Sequence, residues 1–105
     1  MIWRKVQIRG SQLLQRCAHT AAAVGKRLFI HGGDHGMGQY LDDMYIFDLA
    51  KLSISVPKIT GKKPQPRGWH SVIAIGKDLY YFGGCNESKG NSLFNDIWVF
   101  HTSTF

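Results

Sequence analysis

The residues with the most chemistry to offer in this 105-residue chain are five histidines, two cysteines and seven carboxylates. The most site-like string is H-G-G-D-H at 31–35, which has the His-x-x-Asp-His spacing of a metal-binding segment. Zinc takes three or four convergent ligands. Fifty-one residues further on, Cys85 and Asn86 stand where Asp34 and His35 do, and Phe82 stands where His31 does. His31 therefore reads as the end of a strand, and no metal site is expected. Glu87 is the only glutamate, so paired-glutamate acid–base catalysis is excluded. No Ser-His-Asp or Cys-His pattern emerges. Cys17 and Cys85 fall at non-equivalent places and do not form a disulfide framework. Neither catalytic residues nor a cofactor are expected.

What positions these residues is a doubled motif. R-C-A-H-T-A-A-A-V-G-K-R-L-F-I-H-G-G begins at Arg16, and R-G-W-H-S-V-I-A-I-G-K-D-L-Y-Y-F-G-G begins at Arg67. Arg16 and Arg67, His19 and His70, Gly25 and Gly76, and Gly32 and Gly83 are all 51 residues apart. A fixed period of this size marks a repeat architecture, in which one supersecondary unit recurs. Residues present in every unit are generally scaffold, so His19 and His70 are not expected to be catalytic. Arg16 and Arg67 are expected to be mainly structural, with contact to an acidic partner as the alternative role.

Each unit opens on two short apolar runs, 19–24 and 27–31, then 70–75 and 78–82, each pair split by Gly-Lys. That pattern predicts a β-hairpin with a type II′ turn. The runs are nearly continuous in apolar residues, which predicts strands covered on both faces. A glycine pair ends each hairpin and a polar loop follows. Residues 43–48 and 96–101 then alternate as a third strand, now 53 residues apart, so the second loop holds two extra residues. Residues 54–59 and 3–8 align with each other and predict a fourth strand in each copy. The unit is thus four short antiparallel strands.

The order Pro-rich lead-in, Arg-x-x-His, Gly-x turn, strand ending Gly-Gly, and Asn/Asp-Asp-φ-aromatic-x-Phe resembles the kelch repeat of β-propellers. The resemblance covers residues 3–101. It departs at Ile54, where a tryptophan is usual and Trp3 supplies one in the other copy, and at His101, which matches Asp48. It implies an all-β fold of about two four-stranded antiparallel blades in an incomplete ring. Residues 1–10 would be an outer strand completing a neighbouring or missing blade, 11–60 the first kelch repeat, and 61–105 the second, lacking its fourth strand. Propellers need about four to eight blades, so the chain is expected to be a fragment or, alternatively, to assemble with copies through open blade edges. Some kelch enzymes bind iron through a Glu/Asp/His set or copper through Tyr and His, and neither motif is present.

The resemblance further implies a protein-interaction module without catalysis of its own, using the loops where the two copies disagree. The candidate partner-binding residues are Arg16, His35, Met37, Gln39, Arg67, Trp69, Asn86, Glu87 and Lys89. The rival readings are a fragment of a propeller enzyme and an oligomeric propeller binding a small ligand or glycan. The net charge of +6 is spread along the chain in nothing longer than pairs, whereas nucleic acid is read by clustered basic faces, so nucleic-acid binding is not expected. No run approaches the length of a membrane span, and the basic start runs into no apolar segment. A cytoplasmic location is expected.

Overall fold

The computed structural model describes residues 1–90 and 92–104, and the side chain of Lys89 lies outside the described set. A two-residue strand, β1 (Arg9–Gly10), comes first. The first blade follows as β2 (Thr20–Val24), β3 (Arg27–Asp34), β4 (Tyr40–Asp48) and β5 (Ser53–Ser55). The second blade comprises β6 (Ser71–Ile75) and β7 (Asp78–Phe82), then a small hairpin of β8 (Cys85–Asn86) and β9 (Ser92–Leu93), then β10 (Ile97–His101). The sheets run β1-β5-β4-β3-β2 and β10-β7-β6. All pairings within each blade are antiparallel.

Both predicted hairpins are present. Val24 pairs with Arg27 and Ile75 with Asp78, leaving Gly-Lys as the two turn residues. Gly25 and Gly76 both sit at φ +61, the positive angle a type II′ turn needs at its first position. The glycine pairs serve a different purpose. A Cβ on Gly33 would lie 2.5 Å from the carbonyl oxygen of Cys17, and one on Gly84 would lie 2.7 Å from that of Gly68. The backbone bonds Asp34 N–Cys17 O (2.8 Å) and Cys85 N–Gly68 O (2.9 Å) need that approach.

Two strand expectations are corrected. Residues 54–59 form a strand only as far as Ser55, because Pro57 has no N–H to continue the ladder. Residues 3–8 are not a strand. Instead Arg9 and Gly10 add in parallel to the outer strand of the chain's own first blade, through Arg9 N–Leu52 O (3.0 Å) and Ser11 N–Ile54 O (2.9 Å). The free edge of β5 lies within reach and takes the pairing.

The core lies between the blades. Phe29, Met44 and Ile46 of the first pack with Leu79 and Tyr81 of the second. Phe29 and Leu79 are wholly excluded from solvent, each worth about 2 kcal/mol of apolar burial. The expectation of strands covered on both faces fails in the second blade. Its β6 and β7 bury one face, while Ile73, Ile75 and Phe82 on the other are more than half exposed.

Candidate partner-binding face

Two arginine forks set each blade's geometry. Arg16 donates through Nη1 to Asp43 Oδ1 (2.6 Å) and to the Gly32 carbonyl (3.0 Å), and through Nη2 to Asp43 Oδ2 (2.9 Å). Arg67 repeats this with Asp96 Oδ1 (2.6 Å), Gly83 O (3.0 Å) and Asp96 Oδ2 (3.0 Å). Each Nε donates to the carbonyl two residues back, Leu14 or Gln65. The planar guanidinium suits such bidentate pairing. Hydrogen bonding from Arg67, with a further bond from Trp98 Nε1, holds the Asp96 carboxyl down at about 2 despite its partial burial. Both arginine side chains are only 3% exposed. The donors of Arg16 and Arg67, both candidate partner contacts, thus face carbonyls and carboxylates of their own repeat, which fits the mainly structural role expected of them.

The loops between second and third strands come together. Loop 34–40 is a tight reversal, with His35 N–Gln39 O at 2.9 Å, Gln39 N–Gly36 O at 3.1 Å, and Asp34 Oδ1 accepting from Gly36 N at 2.8 Å. Met37 rides its tip at φ +55 with its side chain wholly exposed. His35 and Gln39 are exposed beside it, the His35 imidazole lying 3.2 Å from Gln15 O. His31 is buried in the blade interface, so H-G-G-D-H does not converge on one point. A methyl placed on Gly38 would lie 3.9 Å from Ser88 Cβ, which puts this loop against the equivalent loop of the second blade.

That second loop contains a 3₁₀ turn, Glu87–Lys89, accommodating the two extra residues. Asn86, a partner-contact candidate, is 5% exposed and acts inward. Its amide donates to Pro66 O (3.0 Å) and its Oδ1 accepts from Ser88 N (3.0 Å), so it caps the turn and ties the loop to the Pro-rich lead-in. Glu87 is exposed. Lys89 falls outside the described side chains. Tyr40 is a residue the sequence reading missed. It packs against Gly68 (2.9 Å to a Cβ placed there), and burial first, then the Glu87 carboxylate, raise its hydroxyl above the ordinary tyrosine value.

Trp69 is the aromatic of this face, 68% exposed and held at φ +58. Its equivalent Ala18 shares the angle, at φ +59. A left-handed backbone costs a non-glycine residue of order 1 kcal/mol. Here three backbone bonds between blades enforce it: Gly33 N–Arg67 O (2.8 Å), Arg67 N–Leu41 O (3.2 Å) and Trp69 N–Ala18 O (2.9 Å). Trp69 thus projects from a fixed backbone.

Beneath the loops lies a buried polar cluster that also escaped the sequence reading. His70 Nε2 lies 2.8 Å from Thr20 Oγ1 and 3.3 Å from His31 Nδ1. The Tyr81 ring sits 5.0 Å from His31 and 6.0 Å from His70. Burial is the main force lowering both imidazoles to about 4, reinforced in His31 by His70 and in His70 by the Arg67 charge. Both are neutral at pH 7. A crevice of about 70 Å³ opens beside the cluster, with Met44 and Trp98 among its walls and the Lys63–Asp42 ion pair (3.2 Å) at its rim. It has room for a few waters.

Antiparallel units of four and three strands, joined face to face and each braced by an Arg–Asp fork and a glycine pair, are blades of a β-propeller whose ring is not closed. The KLHDC2/KLHL20/DRC7 Kelch-repeats domain matches residues 1–105, and the chain belongs to this kelch family. It is similar to the "Rab9 effector protein with kelch motifs" of Danio rerio, 33% identical over 105 residues and 97% of the chain. It is similar to "Tip elongation aberrant protein 1" of Schizosaccharomyces pombe, 28% identical over 106 residues and 96% of the chain. A third relative is the "Rho GTPase-activating protein gacHH" of Dictyostelium discoideum, 33% identical over 84 residues and 80% of the chain. The chain spans 29%, 9% and 6% of the lengths of these three relatives. Kelch-repeat domains are protein-interaction modules. Among the described residues, no helix is long and apolar enough to cross a membrane.

Proposed function

We propose that this chain is the part of a kelch propeller that binds a partner protein, carrying no catalysis of its own and working in the cytoplasm. Loops 34–40 and 86–90 with the Trp69 corner form the contact face. Met37 and Trp69 are its anchors, and His35, Gln39 and Glu87 form its polar rim. The observation that carries this reading is the pairing of a wholly exposed Met37 with a 68% exposed Trp69, both on positive-φ backbone beside meeting loops. Rigid aromatic anchors bind with little loss of side-chain freedom, and such residues dominate interface energies.

The names of two relatives point to small GTPases as a partner class to try first. GTP-loaded Rab9 titrated against the chain is expected to bind, and Trp69→Ala is expected to weaken binding roughly ten-fold or more. Met37→Ala should weaken it less. Undiminished binding by the double variant would overturn the loop face as the contact surface. Failure of Rab9 to bind the wild type would overturn the choice of this GTPase.

A further inference from the structure

A hydroxyl taken out of water loses its bonds to solvent, so buried polar groups in folded chains are paired. Tyr81 departs from this rule. It is only 4% exposed, and its hydroxyl oxygen has no hydrogen-bond partner among the described residues. Burial pushes that hydroxyl above the ordinary tyrosine value, so it keeps its proton at neutral pH and remains a donor. Tyr81 also lines the crevice between the blades, opposite His31 and Met44 of the first blade. An unpaired donor in the wall of a crevice calls for an occupant that supplies an acceptor.

The remaining walls narrow the chemistry of that occupant. Ile59, Trp98 and Phe100 line the sides, and they offer hydrocarbon contact. The His31 imidazole is neutral, with its Nδ1 3.3 Å from His70 Nε2. Among the lining residues, charge enters only at the rim. There Lys63 pairs with Asp42 at 3.2 Å. The neighbouring Lys62 is exposed and makes no ion pair among the described residues. Two ammonium groups against one carboxylate leave a single excess positive charge. A cation would meet lysines. A dianion would carry more charge than the rim balances into apolar walls, at a large desolvation cost. Water would satisfy Tyr81 but leave the apolar sides and the excess charge unmatched.

We propose that this crevice binds a small free monocarboxylate. Its volume of about 70 Å³ suits a molecule of about four to six non-hydrogen atoms, the space of two or three waters. One carboxylate oxygen accepts from the Tyr81 hydroxyl, the Lys62 ammonium balances the charge, and the hydrocarbon end rests on Met44 and Trp98. The ligand then touches both blades and the 62–64 lead-in together, so occupancy stabilises their packing by mass action. Neither Met37 nor Trp69 lines the crevice, so the site stands or falls independently of the loop face.

The test is a titration of the chain, carrying ¹³C in its methionine methyls, with sodium propionate against sodium chloride at matched ionic strength. The Met44 signal is expected to move saturably, with a midpoint on the order of 1–10 mM for so small a ligand. The Met37 signal should stay in place. Propionamide has the same shape without the charge and should bind at least roughly ten-fold more weakly. Tyr81→Phe removes only an unpaired hydroxyl, and Lys62→Gln only an exposed charge. Each should keep the fold and weaken propionate about ten-fold. A Met44 signal that does not respond means water alone fills the crevice and overturns the proposal. Equal movement of Met37 marks non-specific binding and does the same. Propionamide binding as tightly as propionate overturns the carboxylate assignment. Unchanged affinity in either variant removes the site from these residues, and Lys62→Gln decides this even if Tyr81→Phe folds poorly.

Discussion

Arg16 and Arg67 make the same four hydrogen bonds within their own repeats, yet His19 and His70, three residues beyond them, live in different surroundings. His70 is 7% exposed against Thr20, His31 and Tyr81, whereas His19 is exposed. The same split separates Phe29, fully buried, from its half-buried equivalent Tyr80, and Ala22 from Ile73. The lesson is that two kinds of interaction are interleaved along the repeat. The fork, the hairpin turn and the glycine approach are satisfied within a blade and look alike in both. The imidazole and the flat apolar faces are satisfied only by a neighbour, so they show which sides of the chain have one.

The largest test of this division is at the aromatic positions. Phe29→Ala should cost about 3–5 kcal/mol in chemical denaturation, whereas Tyr80→Ala should cost less than half as much. Comparable losses would mean the second blade's open face is covered in solution. Next are the forks. Arg16→Ala and Arg67→Ala should each cost about 2–4 kcal/mol, because each leaves a carbonyl and a carboxylate without their shared donor, the latter partly relieved by solvent. Their losses should agree within about 1 kcal/mol. A much smaller loss for Arg16 would show that the fork depends on a neighbouring blade after all.

Acid should separate the two blades' contributions. His31 and His70 have folded values near 4 against an ordinary 6.5. Between those limits the unfolded chain binds protons that the folded chain does not, so stability falls as pH drops below about 6.5. The loss should approach about 1–2 kcal/mol per imidazole by pH 5. The nearby Asp42 and Asp43 carboxylates offset part of it at His31, while Arg67 and His19 add to it at His70. His31→Phe, which installs the residue found at the equivalent Phe82, should flatten the thermal-melt profile from pH 7 to 5. An unchanged slope would show that the interface stays open to water. The smallest effect belongs to His19→Ala, expected within about 0.5 kcal/mol of wild type in denaturation at pH 7.

Much of the scaffold was legible because it rests on local rules. The Gly-Lys turns, the alternating third strands and the 51-residue period follow from side-chain type and spacing. The outer strand was overread because alignment with residues 3–8 outweighed Pro57, whose missing N–H stops β5 at Ser55. Burial of His70 but not His19 could not be read, since the two share one motif and differ only in what packs against them. The loop face was half legible. Non-equivalence of the copies singled out Met37, Trp69, His35, Gln39 and Glu87, and the structure leaves all five exposed. It also singled out Asn86, whose side chain turns inward as a cap, a choice decided by the carbonyl of Pro66 rather than by residue type. Tyr40 carried no signal because its place depends on Gly68, far along the chain.

The parallel clip between β1 and β5 has a mechanical consequence. Arg9 Nη2 reaches Lys51 O (2.9 Å), and with the two backbone bonds it fastens residues 42 positions apart in the chain. Tension applied between the first residues and the second blade would meet this clip before any hairpin of the first blade. Its few bonds lie side by side and break in a short sequence at low load. Residues 9–15 would then act as a force-released tether, adding about 2 nm of slack while both blades stay folded.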